Sequence, residues 1–208
     1  IAVSGVAIGP WDGDMRYLDG VTELVWAAEF PLVKRQLGRK GLRKMIAADE
    51  GIYSHRHFKL ALGPTGELLG VLNSRSAQHD DVPAEREIIR RLFGFWGCAG
   101  LIVRSLIWRI NMNVDWPPRD AFHVEHIAVS PQSRGLGIGS QLLDHAEAEA
   151  RAANLPVIDL DVLSANTAAQ RLYARHGFQI VPTPPPRRSF WRTDSYSEME
   201  KTLTTAVG

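Results

Sequence analysis

A strand, a glycine-rich turn and a helix are predicted to follow one another in the second half of the chain, and this unit constrains the fold most. Phe122–Val129 is predicted to be the strand, and apolar residues at helical spacing, such as Leu142 and Ala146, predict a helix over Gly139–Asn154. The glycines of the turn let the backbone approach a ligand closely. Free N–H groups and the dipole at the helix start favour an anion, so the turn predicts a pyrophosphate site.

Two well-known phosphate-binding turns do not fit this sequence. A Walker A loop needs Gly-Lys-Ser/Thr, which is absent here. A dinucleotide fingerprint needs G-x-G-x-x-G, and counted from Gly135 its third glycine falls on Ser140. The pattern that fits is R-x-x-G-x-G, formed by Arg134, Gly137 and Gly139. Taken alone, this pattern leaves open a plain glycine-rich turn that only tightens the joint between strand and helix.

The rest of the chain supplies further strands and helices. Gly63-Pro64-Thr65-Gly66 is a strong turn signal, so the strands on either side of it are expected to form a hairpin. The N-terminal half therefore predicts a strand (Val3–Ile8), a helix (about 17–28), a second helix (Lys34–Ala48) and two strands (His57–Leu62 and Glu67–Asn73). The C-terminal half predicts strand, helix, strand and strand after the unit, at Val157–Leu163, Thr167–His176, Phe178–Val181 and Tyr196–Leu203.

Composition indicates one ordinary soluble domain over residues 1–208. The chain is 45% apolar and 23% charged, and its net charge of +1 gives no electrostatic case for binding nucleic acid. The single cysteine, Cys98, excludes an internal disulfide and a cysteine-based metal cluster, and its apolar surroundings predict a buried thiol. The longest stretch without charge, Leu92–Val103, has 12 residues, whereas a membrane span needs about 20. Without a secretory signal, the cytoplasm is the expected location.

An unusually apolar segment at about 76–118 is predicted to be a helical insertion in this domain. Its central part, Pro83–Ile110, is mostly helical in pattern and rich in large apolar side chains. Three interpretations stay open: a helix pair packed on the core, an interface through which residues 83–110 form a homodimer, or a lid over a substrate site. The insertion could also bring a carboxylate, such as Asp115 or Asp120, into the site.

Three motifs in close succession resemble the GNAT superfamily of acetyl-CoA-dependent N-acetyltransferases. They are His123-Val-Glu125-His-Ile127-Ala128-Val129-Ser-Pro131, the R-x-x-G-x-G turn, and Asn166-x-x-Ala169-x-x-Leu172-Tyr173-x-x-x-Gly177-Phe178. The resemblance implies an α/β (α+β) fold with a mixed, mostly antiparallel sheet of about six or seven strands and helices on both faces. It also implies an acyltransferase with acetyl-CoA as co-substrate, and a fourth strand that is bulged and splayed from the fifth.

The resemblance assigns a role to each cofactor-contacting position. Acetyl-CoA is expected in the gap between the splayed strands, where the backbone of Ile127, Ala128 and Val129 would hold the pantetheine arm and the acetyl carbonyl. Asn166 would contact the arm, and Tyr173 would point its hydroxyl at the sulfur. The pyrophosphate would be held by the amides of one continuous segment: Arg134, Gly135, Leu136, Gly137, Ile138, Gly139 and Ser140.

The amine that attacks the thioester must first lose a proton, because a free alkylamine has a pKa near 10. A nearby base supplies a path for that proton. Glu125 stands where many family members place a carboxylate, so it is the predicted base. It lies two residues from His123 on the strand, so we expect the two side chains on one face, continued by Ile127 and Val129.

Other residues could carry the proton instead. His123 is the second candidate, as base or relay. Asp161 is the third, because it lies on the strand Val157–Leu163, where another branch of the family carries its base. Asp159 lies on the same face of that strand as Asp161. Each could also be an ordinary structural residue, and so could Glu125. Tyr173 is the predicted acid for the leaving thiolate, although it could be a core aromatic. The remaining histidines show no metal-ligand spacing, so no metal is expected.

The leading interpretation is therefore transfer of an acetyl group to a primary amine of a small molecule or peptide. A non-catalytic acetyl-CoA-binding sensor or scaffold is the alternative from another class, and the presence of both Glu125 and Tyr173 argues against it. A protein N-terminal or lysine acetyltransferase, associated with ribosomes or nucleic acid, is a further alternative. The basic segment Lys34–Lys44 is its one hint, and a solvated helix face explains that segment better. The sequence does not identify the acceptor.

Overall fold

The computed structural model describes residues 5–29, 31–76, 88, 90–92, 94, 120–182 and 196–203. In these ranges the chain forms one sheet of seven strands. The strands are β1 (Ala7–Pro10), β2 (Phe58–Leu62), β3 (Leu68–Ser76), β4 (Ala121–Val129), β5 (Val157–Leu163), β6 (Gln179–Ile180) and β7 (Tyr196–Thr202). The helices that cover the sheet are α1 (Leu18–Ala28), α2 (Pro31–Ala47), α3 (Ile138–Ala152) and α4 (Thr167–Arg175).

The strand order is β1-β2-β3-β4-β5-β7-β6. Only the pair β4–β5 is parallel among the pairs described, and the other neighbours are antiparallel. The mixed, mostly antiparallel sheet expected from the sequence is therefore confirmed, as is the strand–helix–helix–strand–strand order of the N-terminal half. The second helix differs in detail: it begins at Pro31 and bends at Gly38, whose φ of 65° is not helical.

Two separate cores pack against the two faces of the sheet. The first contains α3 and α4 side chains, including Leu142, Leu143 and Tyr173, packed on the central strands. The second contains α1 and α2 side chains, including Val21, Val25 and Ile46. The sheet is thus covered on both faces, and each strand residue can be assigned to the α3/α4 face or to the α1/α2 face by the core that it joins.

Strand β4 contains a bulge at Glu125. In the ladder with β3, Asn73 pairs with His126 while the next residue, Ser74, pairs with Val124. Glu125 is therefore the extra residue that has no partner opposite it. A bulge of this kind shifts the alternation of side chains along its strand by one residue. An even-numbered residue before the bulge therefore shares a face with an odd-numbered residue after it.

This shift overturns one expectation from the sequence. Val124 belongs to the core on the α3/α4 face, and Ile127 and Val129 pack against that same core. His123 alternates with Val124 and so lies on the opposite, α1/α2 face. The expectation that Ile127 and Val129 continue the face of His123 is therefore wrong, because the bulge reverses the alternation between them.

The parallel strands β4 and β5 separate halfway along their length. Their pairing runs from Ala121 opposite Val157 to Val124 opposite Leu160 and stops there, although both strands continue. The gap between them opens at the bulge, as the family resemblance implied. On this side of β4, the described residues form no strand pairing beyond Val124, which leaves its backbone groups available to a ligand.

Most of the predicted insertion at about 76–118, with Cys98 and Asp115, lies outside the described residues. The interpretations as core helices, homodimer interface or lid therefore stay predictions. Of the helices that the structure describes, none combines the length and the apolar character that crossing a membrane requires.

Candidate active site

The glycine-rich turn forms an open backbone surface at the start of α3. Gly135 and Gly137 have φ values of 77° and 81°, in the left-handed region that favours glycine. A Cβ added at either position would meet no atom within 4 Å, so space is free on that side of the turn. The first N–H groups of α3 lack intrahelical acceptors, and together with the helix dipole they favour an anion here.

Helix α4 lies directly beside this turn. A Cβ added at Gly139 would come within 3.1 Å of Cδ2 of Leu172, so a larger residue here would require the Leu172 side chain to shift. Nε of Arg134 donates to the carbonyl of Val129 at 3.4 Å, which ties the turn to the end of β4. Leu136 is exposed at the tip of the turn, while Ile138 is buried in the core below it.

Asn166 stands at the N-terminus of α4, where its carboxamide oxygen accepts from the N–H of Ala169 at 3.2 Å. Its side chain thus caps the helix, and the contact with a cofactor arm implied by the resemblance stays a prediction. Tyr173 lies on the same helix and is buried against Phe178, with ring centroids 6.0 Å apart. Burial raises the pKa of the Tyr173 hydroxyl to about 12, so this group keeps its proton across the whole physiological range.

Glu125 is held by a buried arginine on the α1/α2 side of the sheet. Nε and Nη2 of Arg75 lie 2.8 and 2.6 Å from Oε1 of Glu125. Burial alone would raise the pKa of Glu125, but the charges of His123 and Arg75 outweigh burial and lower it to about 2. Glu125 is therefore an ionised, well-anchored carboxylate and a weak base in this state.

His123 is clamped between two carboxylates. Its Nδ1 lies 3.0 Å from Oδ1 of Asp159, and its Nε2 lies 3.8 Å from Oε2 of Glu125. Burial would lower the pKa of His123, but Glu125 and the hydrogen bond with Asp159 raise it to about 9. The ring is therefore an imidazolium at neutral pH. The structure brings His123 together with Glu125, on whose strand it was expected to share a face, and with Asp159 of the neighbouring strand.

Asp161 occupies the first position of β5 beyond its pairing with β4. Glu198 of β7 lies directly opposite it in the ladder. Burial raises the pKa of Asp161 to about 6; the His123 charge opposes that rise, and the Glu198 charge adds to it. The side chains of Asp161 and Glu198 form no hydrogen bond or ion pair with a residue in the described ranges, although the charge of His123 acts on both. Asp161 is thus a carboxylate at the mouth of the gap whose proton affinity suits exchange near neutral pH.

Four residues at this site escaped the sequence analysis: Glu29, Tyr53, Arg75 and His126. Oε2 of Glu29, at the end of α1, accepts from the Tyr53 hydroxyl at 2.8 Å and lies 2.9 Å from Nε2 of His126. A polar residue in a buried apolar strand is the signal that could have marked Arg75 and His126. Their partners lie 50 and 97 residues away in sequence, so the pairing itself leaves no local pattern.

A glycine turn at a helix N-terminus, next to a gap between splayed parallel strands, is the arrangement that the three sequence motifs implied for the fold of the acetyltransferase class. The chain belongs to the Acetyltransferase (GNAT) family: the family's sequence profile matches residues 65–178, which is more than half of the chain. The resemblance seen in the three motifs is therefore confirmed.

The similarity to a curated protein is partial. A streptothricin acetyltransferase of Escherichia coli is 33% identical over 84 residues, which are 40% of this chain and 47% of that protein. The chain thus spans about half the length of the curated relative that it matches.

Solved structures share the fold over nearly the whole chain. An N-acetyltransferase from Staphylococcus aureus Mu50 superposes with a TM-score of 0.62 at 17% identity, covering 94% of this chain and 100% of that one. A putative acetyltransferase from Salmonella typhimurium, solved with its cofactor acetyl-CoA, gives 0.59 at 18% identity and covers 99% and 98%. A mutant agmatine N-acetyltransferase gives 0.55 at 15% identity and covers 96% and 100%. At these identities the likeness concerns the fold alone.

Proposed function

We propose that this protein is an N-acetyltransferase that moves the acetyl group of acetyl-CoA directly to a primary amine of a small molecule or peptide. One observation carries the proposal: an open anion-binding turn and a cluster of carboxylates flank the gap where β4 and β5 separate. The pyrophosphate of acetyl-CoA fits the turn, and the ammonium group of an acceptor fits the carboxylates. The reaction needs both of these charged groups bound at the same gap.

The residues present fit acetyl-CoA. The amides of the segment 134–140 would hold the pyrophosphate, and the unpaired edge of β4 at Ile127–Val129 would hold the arm by backbone hydrogen bonds. The bound thioester supplies an activated carbonyl carbon. The amine nitrogen forms its bond to that carbon, the carbon–sulfur bond breaks, and the sulfur leaves with the electron pair.

Two carboxylates compete for the amine's proton. Asp161 is the base that we propose, because its pKa of about 6 lies far closer to that of an amine than the value of about 2 for Glu125. Glu125, which the sequence favours, is the alternative base. If Asp161 takes the proton, the fixed charge of Glu125 orients the ammonium group or a water next to it. His123 is already protonated and so relays a proton only after losing one.

Tyr173 is the proposed donor to the departing sulfur. Its hydroxyl remains protonated at all working pH values, so it can hydrogen-bond the thiolate as charge develops there. A pKa of about 12 exceeds that of a thiol, about 8.5, which favours a strong hydrogen bond over complete transfer.

The acceptor is proposed to be cationic. Asp161 and Glu198 oppose each other across two strands with no cation paired to either among the described residues, and like charges in that position repel. An ammonium group between them would remove the repulsion. The partial similarity to a streptothricin acetyltransferase makes streptothricin one sensible probe, beside simple alkylamines, agmatine, amino acids and peptides.

Thiol release from acetyl-CoA tests the activity when each amine is offered in turn. Release that depends on an amine supports transfer, whereas tight acetyl-CoA binding with no release for any amine would make the protein a sensor or scaffold. Once an acceptor is found, kcat/KM is measured from pH 5 to 10 for Asp161→Asn and Glu125→Gln. Asp144→Asn, an exposed carboxylate on α3, is the matched control.

The pH dependence of kcat/KM distinguishes a base from a positioning charge. Asp161→Asn should lower kcat/KM about 10²-fold near pH 7 and progressively less towards pH 10, where free amine is plentiful. Glu125→Gln should give a deficit that does not shrink with pH, as expected for a positioning charge. The reverse pattern would assign the base to Glu125, and a normal profile in both variants would move the role to His123.

A further inference from the structure

Two buried polar atoms on neighbouring strands have no hydrogen-bond partner among the described residues: Oδ1 of Asn73 and Nδ1 of His126. Asn73 and His126 are direct partners in the β3–β4 ladder, so their side chains lie on one face with Cβ atoms about 5 Å apart. The other polar atom of each side chain is engaged: Nδ2 of Asn73 donates to the carbonyl of Ile52 at 3.0 Å, and Nε2 of His126 contacts Glu29.

These contacts connect four parts of the fold around the bulge. Glu29 at the end of α1 binds both His126 and the Tyr53 hydroxyl, and Asn73 reaches the segment 51–53 through Ile52. These contacts converge on His126, which directly follows the bulged Glu125. The bulge that sets the direction of the Glu125 side chain is therefore braced from one side by the ladder and from the other by this network.

The electrostatic surroundings of His126 favour its protonated form. Burial alone would lower the pKa of His126, but the charge and hydrogen bond of Glu29 raise it. An imidazolium donates from both nitrogens. Its Nδ1–H is thus chemically complementary to the acceptor Oδ1 of Asn73. The same positive charge is one of those that lower the pKa of Glu125.

We infer that His126 is a positioning residue of the acetyl-transfer site: as an imidazolium held between Glu29 and Asn73, it fixes the strand next to the bulge and keeps the Glu125 carboxylate ionised and in place. A water that accepts from Nδ1–H of His126 and donates to Oδ1 of Asn73 completes the brace. The inference rests on the proposed function for its kinetic consequence, but not for its effect on Glu125.

Three variants separate the charge of His126 from its hydrogen bond. His126→Gln keeps a donor that can reach Glu29 and removes the charge. Glu29→Gln leaves the imidazolium facing a neutral acceptor, and the double variant joins two neutral amides, so it should recover most of the thermal stability that Glu29→Gln loses. His145→Gln is the matched control, because His145 also faces a glutamate but lies on the surface of α3.

Two readouts decide the inference. The first is the pKa of Glu125, followed by the carboxyl 13C shift in isotope-labelled protein, which needs no acetyl transfer. It should rise in His126→Gln and in the double variant, and stay unchanged in His145→Gln. The second is kcat for the best amine, which should fall about tenfold or more in both His126 variants, with acetyl-CoA affinity within about twofold of the parent.

The results that would overturn the inference are equally definite. If the double variant recovers kcat together with its stability, His126 is a structural residue and nothing more. If the pKa of Glu125 is the same in the parent and in His126→Gln, the charge does not act on Glu125. A parent protein that transfers acetyl to no amine would contradict the proposed function, while the Glu125 titration would still decide the role of His126.

Discussion

The imidazolium of His123 should make the folded state lose stability in alkaline solution. The ring is 8% exposed and lies between Asp159 and Glu125, which raise its pKa to about 9 against the effect of burial. In the unfolded chain the pKa of a histidine is about 6.5. The folded protein therefore holds a proton that the unfolded chain releases between these two values. The stabilisation is complete below pH 6.5 and is lost as pH rises through about 9.

The size of this effect follows from the two pKa values. A pKa difference of one corresponds to 1.36 kcal/mol, so a rise from 6.5 to about 9 corresponds to about 3 kcal/mol of unfolding free energy. That figure is not added to the stabilisation implied by the low pKa of Glu125, because both describe the same attraction. A domain of this kind has a total stability of about 5–15 kcal/mol, so the loss is a large fraction of it.

Urea unfolding at half-unit steps from pH 6 to 9.5 measures this loss directly. The free energy of unfolding of the parent should fall by about 1.4 kcal/mol per pH unit over the middle of this range. In His123→Gln the fall should be much shallower. Equal slopes in both proteins would refute the proposed clamp, as would a parent whose stability is flat across the range.

Two further outcomes concern the cofactor side. Gly137→Glu should weaken acetyl-CoA binding about 100-fold or more, measured by isothermal titration calorimetry, because it places a carboxylate in the anion site. Gly137→Ala is the control, because it has the same backbone strain at a φ of 81° without the carboxylate. Unchanged affinity in folded Gly137→Glu would remove the pyrophosphate assignment. Tyr173→Phe should lower kcat about 10²-fold with acetyl-CoA affinity intact, and loss of folding instead would make Tyr173 a core residue.

The alternating strands and helices around the glycine turn could be predicted because their signals are local. Val157–Leu163 was expected as a strand on its apolar pattern, and the structure gives it the same bounds. The bulge in β4 left only a small signal in the pattern of residues, which is that the apolar positions shift by one between Val124 and Ile127. It arises because the ladder with β3 leaves Glu125 unpaired, and those partners lie about 50 residues earlier in the chain. Only the family resemblance anticipated a bulge in this strand, and the resulting change of face was missed.

The candidate site was predictable in its members but not in their protonation states. Spacing on β4 put His123 and Glu125 on one face, and the family resemblance added Asp161 of β5. The sequence could not show that Arg75 would hold Glu125 as a carboxylate, nor that burial would raise the pKa of Asp161. Those two observations are why we propose Asp161 before Glu125 as the base, because a base is judged by its pKa and a pKa depends on distant neighbours.

Charge balance explains why the proton should pass to Asp161 and not to its neighbours. Three pairs each join one cation to one carboxylate: Arg75 with Glu125, His123 with Asp159 and His126 with Glu29. Protonating a carboxylate of any such pair would leave its buried cation uncompensated, which is costly in a medium of low dielectric constant. Asp161 and Glu198 instead form a pair of like charges, and a proton on Asp161 relieves their repulsion. An ammonium group that binds between them and then gives its proton to Asp161 moves no net charge out of the site, so the neutral amine is released where the β4–β5 gap opens.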